Sequence, residues 1–580
     1  MLNRQAADLL LELAALLEIK GENPFKIRAY RRAATALEAV EEDIALLAKT
    51  GRLQEIEGIG KAINDKIVEY VNTGTISVFE RLKAEIPETL LEVTQVPGVG
   101  PKLAQRLYYE LGVENISDLR TALAAQRIRT LKGLGEKTEA KIATGLALHA
   151  ENQGRTPLFI ASPLAYEVVA FLRRLPSVTH AEVAGSIRRM RETVGDADVV
   201  VATDDFAAVA RELTQQTLVK HVLAQGDTKV SVILHSGLQL DVRMVAQGAF
   251  VSAWHHFTGS KGHHEKLRHL ALMRGYSVSE YGLLHKETGR RIEPASEKDL
   301  YALLGLPYIP PELREGTSEI TAAVADRLPN LVESADIRGD LHVHSNWSDG
   351  VVTLAQIAEE AQRRGFEYVG ICDHSRSLAI ANGLSEQDLM EREKEIAQVN
   401  ERGEGAILLS GIEVDILTDG SLDFPDAVLA RHDIVIASIH SGFQQSREQL
   451  MRRMQRAMAN PYVHVIGHPT GRMIGRRAAY DVDVEELIRM AKETGTALEI
   501  NASPYRLDLN DAYAKAAGEA GVLLAINTDA HDLDEFGHLH YGLGVARRAW
   551  LQSENIVNCY TLAELRRFLQ RKRPGGRVDG

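Results

Sequence analysis

The chain has 580 residues, 45 % hydrophobic and 25 % charged, with a formal charge of −13; it is too long for a single core and too ordinary in composition for a disordered or fibrous protein. No run of about 18 apolar residues occurs, which argues against a membrane span, and two cysteines, Cys372 and Cys559, exclude a disulfide framework and favour a reducing, cytoplasmic setting. The acidity argues against a nucleic-acid partner only until it is located. Residues 1–318 carry a net charge of −1 and residues 319–580 a net charge of −12, and phosphate contacts depend on local patches and backbone amides. The first predicted element is an amphipathic helix. In MLNRQAADLLLELAALLEIK apolar residues recur at helical spacing, broken by Glu12 and Glu18, which is not the pattern of a secretion signal.

A short glycine hairpin then recurs, as IEGIGKAI at 56–63, VPGVGPKLA at 96–104 and LKGLGEKTEAKI at 131–142. Gly58 and Gly60, Gly98 and Gly100, and Gly133 and Gly135 each permit a tight turn that opens a helix, where outward backbone N–H groups and the helix dipole favour an anion. With Lys61 and Lys102 just beyond the glycines, the repeats fit the helix-hairpin-helix motif, a grip on the DNA backbone that does not read bases.

From about residue 155 short β-branched runs (HAEVAGS, ADVVVAT, KVSVILHS, LQLDVRMV) alternate with helical stretches, predicting a mixed α/β unit on a small sheet. Within it, GSIRRMRETVGDADVVV spans 185–201. Asp196 and Asp198 share one face of a strand, and Asp241 can lie on the neighbouring strand. Three converging carboxylates repel one another unless divalent cations neutralise them, and two Mg²⁺ ions there would suit phosphoryl transfer. After a helical, turn-rich segment from 247 to about 318 and a connector at 319–336 that opens with a helix, strand-like runs again alternate with helices (YVGICDH, AILLSGIEVDI, DIVIASIHSG, HVIGHPTG, ALEINAS, LLAINTDAH), as in a parallel sheet or barrel. The tail RKRPGGRVDG reads as disordered.

The last part opens on DLHVHSNWSDG at 340–350, and the run ends that follow carry further ligand-type residues. His342, His344, Asp349, His374, Glu413, His440, His468, Asp529 and His531 all fall at or just past a predicted strand end, where barrel ligands converge. A His and carboxylate set suits Mn²⁺, Zn²⁺ or Fe²⁺, and metal-activated water attacking a phosphoester is the chemistry expected. Arg472, just after His468, is a further phosphate-clamp candidate.

The GS…GDxD spacing with a downstream strand Asp, followed by HHFTGSKGHHEKLRHLALMRGY at 255–276, resembles the family X DNA polymerases of the DNA polymerase beta type. The resemblance covers about residues 1–318. It implies catalytic metal-binding carboxylates at Asp196, Asp198 and Asp241, and triphosphate contacts at Gly185, Ser186, Arg189 and Gly195. His256, Phe257 and Gly259 would lie beside the sugar and base of an incoming nucleotide, and Arg268 matches the family's minor-groove arginine. His256 replaces the usual Tyr, and Lys261 and His264 stand where vertebrate enzymes have Asp and Asn, so the sugar and base contacts differ; Lys261 would grip the nucleotide electrostatically. Lys66 aligns with the Schiff-base lysine of the deoxyribose-phosphate lyase. The C-terminal set resembles the polymerase-and-histidinol-phosphatase (PHP) domain, whose members bind up to three metals, with every ligand position filled.

The resemblances together imply a multidomain α and α/β chain: a helical lyase-like domain (1–90), hairpin fingers (91–154), a nucleotidyltransferase palm with a mixed sheet (155–246), a nucleotide-binding subdomain (247–318), a linker (319–336) and a distorted (βα)₇ PHP barrel (337–575). They imply a monomeric, cytoplasmic enzyme that uses Mg²⁺ and deoxynucleoside triphosphates to fill gaps in primed duplex DNA during base excision repair. The barrel would add a Mn²⁺- or Zn²⁺-dependent 3′→5′ exonuclease and cleavage at abasic sites. Two rival readings are a nucleotidyltransferase of other substrates joined to a small-molecule phosphatase, and a DNA-binding scaffold with a structural barrel.

Overall fold

Every apolar run picked out beyond residue 337 becomes a strand in the computed structural model, which describes residues 2–573 apart from 40–43, 57, 88, 95, 97 and 153. Residues 574–580, most of the tail expected to be disordered, lie outside the described residues. The described chain forms two compact units, the first built on residues 1–153 together with the short segment 475–478, and the second on residues 154–474 and 479 onward. Among the described residues no helix is long and apolar enough to cross a membrane.

The first unit is all helical. The amphipathic opening helix, Leu2–Ile19, buries Leu10, Leu13 and Leu17. Its core is continuous with residues as far as Leu107, Ile128 and Leu146, so the segments 1–90 and 91–154 share one apolar cluster. The hairpins open the helices Lys61–Thr73, Pro101–Leu111 and Glu136–Asn152.

The second unit begins with a five-stranded mixed sheet. The strand Asp196–Thr203 lies second in it, paired antiparallel with the edge strand Val178–Val183 and parallel with the central strand Gln239–Val245. Lys229–Leu234 follows, and the other edge is Val219–Gln225, a strand the sequence pattern did not offer because all but its first residue are exposed. Helices Phe250–Thr258 and Lys261–Met273, a three-stranded antiparallel sheet and helix Glu297–Leu303 come next. The predicted connector does open with a helix, Glu319–Val324, but that helix packs into the preceding core: Glu319 meets His263 Nδ1 at 2.8 Å, and Ile320 and Ala323 join Leu267 and Tyr301.

The remainder is a parallel barrel of seven strands in sequential order: Gly339–Val343, Tyr368–Ile371, Ile407–Asp415, Ile434–Ser438, Val465–Ile466, Ala497–Asn501 and Leu524–Asn527. It nearly closes on itself, with His344 N donating to Ala530 O (2.8 Å) and Asp529 N to His342 O (3.0 Å). Barrel strands are buried on both faces, so they read as continuous apolar runs rather than as alternations. The inward residues at one end, Tyr368, Leu409, Ile434, Ile436, Val465, Ala497 and Ala525, pack against Leu565, Phe568 and Leu569 of the final helix, Leu562–Gln570. Further along the same inward rows lie Glu413, Glu499, Asn501 and Asn527. One end of the barrel is thus apolar and plugged, and the other is polar.

Candidate functional site

In the mixed sheet, Asp198 and Asp241 are direct cross-strand partners, and Asp196 lies two residues before Asp198. One carboxylate oxygen from each of the three lies within 4.8 Å of the others. Burial, then the neighbouring Asp196 and Asp241, push the Asp198 carboxyl up to about 7. Asp241 is held low in spite of its burial, because Lys229, Ser231 and Gln239 hydrogen-bond it. The sequence reading missed Lys229, which forms an ion pair with Asp241 from the adjacent strand; its signal would have been register, not motif. The short Gly185–Arg188 helix presses against this site. Gly185 has φ +59°, and a Cβ there would come within 2.1 Å of Asp198 Oδ2, so the turn accepts only glycine.

Around these carboxylates the residues proposed to contact a nucleotide fall into two groups. Arg189 is turned into the protein: Nε pairs with Glu315 Oε1 at 3.1 Å, Nη1 donates to the Thr258 carbonyl, and the Arg189 carbonyl accepts from Arg548 Nη1 at 2.9 Å. Neighbouring Arg188 grips Glu297 with both nitrogens (2.9 and 2.7 Å), as does the fully buried Arg314. Although burial opposes it, these arginines hold Glu297 down to about 2, fixing the GS turn on the following subdomain. His264 is buried on the His255 carbonyl (3.2 Å), its ring 4.7 Å from that of His256, and burial pushes it down to about 4. Phe257 carries the Arg243 guanidinium 4.9 Å from its ring centre. Gly195 and Ser186 are half-buried or exposed, Lys261 projects its side chain 92 % into solvent, Arg268 is exposed on the same helix, and Gly259 closes the preceding helix at φ +70°.

The barrel brings all of its expected ligands together. Three overlapping groups hold one ligand atom each within 4.8 Å: His344, Asp349, His374 and His531; His342, His344 and Asp529; His374, Glu413 and His440. His468 joins through Nε2, 3.0 Å from Glu413 Oε1. Burial lowers His344 to about 4, whereas Glu413 and Asp415 raise His440 to about 10 against its burial. Glu413 stays ionised despite complete burial because His440, His374 and His342 surround it. His342 Nε2, His344 Nδ1 and Glu413 Oε2 are buried atoms with no hydrogen-bond partner. Polar atoms so placed are costly unless a cation binds them, and this nitrogen and oxygen donor set fits Mn²⁺, Zn²⁺ or Fe²⁺.

A supporting shell escaped the sequence reading. Glu499, fully buried, accepts from His342 Nδ1 (2.7 Å), the His468 backbone N (2.7 Å) and Asn527 Nδ2 (2.9 Å), so one carboxylate orients ligands from two strands. Asp415 holds His440 Nδ1. Asp373 is not among the ligand groups. It accepts from Ser345 N and Oγ and from Ser348 Oγ, each at 2.8 Å, anchoring the loop that carries Asp349. Arg472, the clamp candidate, is committed elsewhere, with Nη2 on Glu192 Oε2 and on the Leu507 carbonyl, both at 2.6 Å.

In the helical unit the three hairpins repeat one geometry. Gly58, Gly98 and Gly133 have φ of +96°, +92° and +80°. Gly60 and Gly100 cap their helices without a side-chain hydrogen bond. Nothing lies within 4 Å of a Cβ built on Gly60, Gly100 or Gly135. The space at each of these helix starts is therefore open, beside Lys61 and Lys102 in the first two. Lys66 lies half-buried on the first of these helices, its Nζ on the Ala62 carbonyl at 3.1 Å.

Four family models match separate stretches of the chain. A helix-hairpin-helix domain model matches residues 1–76, a SAM-like helix-hairpin-helix tandem 90–147, the DNA polymerase beta thumb 253–315 and the PHP domain 340–503. The chain is 30 % identical to a probable phosphatase of Thermoanaerobacter sp. (strain X514), over 40 % of this chain and 95 % of that protein. A probable phosphatase of Caldanaerobacter subterraneus subsp. tengcongensis is also 30 % identical, over 41 % of this chain and 93 % of its own. The whole chain is 42 % identical to the DNA polymerase/3′-5′ exonuclease PolX of Bacillus subtilis (strain 168), over 97 % of this chain and 98 % of that one. With both clusters of ligand-type side chains in place and a relative matched over 97 % of the chain, the chain belongs to the PolX family of DNA polymerase/3′-5′ exonucleases.

Proposed function

We propose that the chain is a monomeric enzyme of the bacterial cytoplasm that extends primers across short gaps in duplex DNA, and that its barrel removes nucleotides from 3′ ends and acts at abasic sites, a pairing suited to base excision repair. The observation that carries this is the presence in one chain of two separate constellations: three carboxylates behind a glycine-serine turn, and nine ligands at one barrel mouth. Divalent cations held there, Mg²⁺ by Asp196, Asp198 and Asp241 and up to three Mn²⁺ or Zn²⁺ by the barrel ligands, would neutralise phosphate charge and activate an attacking oxygen. Lys229 keeps Asp241 ionised and fixed. Gly185, Ser186 and Gly195 line the triphosphate path, Arg189 braces their turn through Glu315 and the Thr258 carbonyl instead of facing the nucleotide, and Lys261 reaches the path from solvent. His256, Phe257, Gly259 and His264 shape the pocket for sugar and base, and Arg268 meets the minor groove. Amides at Gly58, Gly60, Gly98, Gly100, Gly133 and Gly135, with Lys61 and Lys102, grip phosphates without reading bases. Lys66 is the residue through which a deoxyribose-phosphate lyase would act.

The test is a labelled primer on a duplex with a one-nucleotide gap. Extension with deoxynucleoside triphosphates in Mg²⁺, and shortening without them in Mn²⁺, are expected; a primer left unchanged in both conditions would sink the reading. The likeness of the barrel to probable phosphatases favours a second reading, hydrolysis of phosphate monoesters, which a primer ending in a 3′-phosphate distinguishes by whether only that phosphate is lost.

A further inference from the structure

The loop after the sixth barrel strand, residues 502–509, carries Arg506 to the edge of the ligand cluster. Its Nε lies 3.7 Å from Oδ2 of Asp529, and its side chain is 18 % exposed. Two other arginines of the barrel, Arg392 and Arg453, are fully buried and use both Nη atoms on carboxylate, amide or carbonyl oxygens. Arg506 differs. Its guanidinium donates no hydrogen bond among the described residues, and its Nη1 is buried without a partner. Nor does Asp529 need it: Oδ1 accepts from His344 Nε2 at 3.0 Å and Oδ2 from Asn501 Nδ2 at 3.1 Å.

The backbone on both sides of Arg506 is nevertheless held firmly. Tyr505 O accepts from Ile474 N at 2.7 Å, and the Tyr505 ring packs edge-on to Phe159 with centroids 4.6 Å apart. Leu507 O accepts from Arg472, which is paired in turn with Glu192. Asp508 accepts from Thr470 N at 3.0 Å and Oγ1 at 2.9 Å. A rigid loop that presents a guanidinium held only by a long ion pair to Asp529, beside the cluster, matches what a phosphate dianion or diester requires, since the guanidinium fork pairs with two phosphate oxygens at once.

We infer that Arg506 binds the non-bridging oxygens of the phosphate hydrolysed in the barrel, and that Arg472 is a positioning residue that braces its loop. The assignment rests on the barrel being the nuclease. It replaces the sequence-level expectation that Arg472 itself clamps phosphate.

Arg506→Ala and Arg506→Lys in the full-length, Mn²⁺-loaded protein test it, with inorganic phosphate as a competitive probe. Removal of 3′ nucleotides by Arg506→Ala should fall about 10²-fold in kcat/KM, and the inhibition constant for inorganic phosphate should rise at least ~10-fold. Arg506→Lys should recover part of both, because it restores the charge but not the fork. Metal content, Tm and gap filling should stay at wild-type values. Unchanged phosphate inhibition in Arg506→Ala overturns the assignment. So does a loss of bound Mn²⁺ in both variants that accounts for the lost activity, since Arg506 would then serve only to balance Asp529. A wild-type protein with no 3′→5′ removal, or a His344→Ala variant as active as wild type, would instead sink the nuclease reading on which the assignment rests.

Discussion

Asp198 combines burial with two like-charged neighbours, and its carboxyl is raised to about 7. A carboxyl raised in the folded state contributes stability when protonated and loses that contribution as pH rises through its folded value. In metal-free protein, wild type should therefore lose stability relative to Asp198→Asn as pH climbs from about 4 to about 7, and Mg²⁺ should abolish the difference. Thermal melting of both proteins across that range checks this; a difference that does not change with pH would mean that Asp198 is ionised without strain. Asp196 and Asp198 were legible in the sequence because their spacing is local. Lys229 was not, because only strand register brings it to Asp241. Glu499 stands 157 residues from the His342 it orients, and in sequence it is one glutamate in an apolar run. Arg472 shows the opposite failure: adjacency to His468 suggested a ligand-facing role, but its side chain turns to Glu192 and the Leu507 carbonyl. Supporting and clamping residues are fixed by the fold, whereas ligands are announced by strand ends.

The hairpins and barrel strands were the most legible elements, for two physical reasons. A helix preceded by a tight turn needs glycine at positive φ, so the requirement is written in the sequence itself. Barrel strands are buried on both faces, so their apolar runs stand out. The edge strand Val219–Gln225 has neither signal, since six of its seven residues are exposed. Gly98 carries φ +92°, and its turn leaves space open in front of Gly100. Replacing both with alanine should strain the turn and fill the space a phosphate would occupy, weakening duplex binding about ten-fold and by a similar factor on unrelated sequences. Titrations against three duplexes of different sequence check this, and a loss confined to one duplex would show that the hairpin reads bases.

Within the second unit the mixed sheet and its thumb are tied to the barrel at several points. Glu315 accepts from both Arg189 (3.1 Å) and Arg548 (2.7 Å), Glu192 pairs with Arg472, and a Cβ on Gly544 would collide with Met190. These contacts brace the two parts, yet the two ligand sets share no residue. Each chemistry is thus assigned to its own set of elements, and paired single-site variants separate the two. His344→Ala and Asp198→Ala should each be assayed on one gapped, 5′-labelled primer substrate, with metal content and Tm measured on the same preparations. His344→Ala should lose bound Mn²⁺ and 3′→5′ shortening, by about 10²-fold or more, while filling the gap at the wild-type rate. Asp198→Ala should lose extension and keep shortening. If either variant loses both activities together with a lowered Tm, or if His344→Ala shortens primers as fast as wild type, the assignment of one chemistry to each site is contradicted.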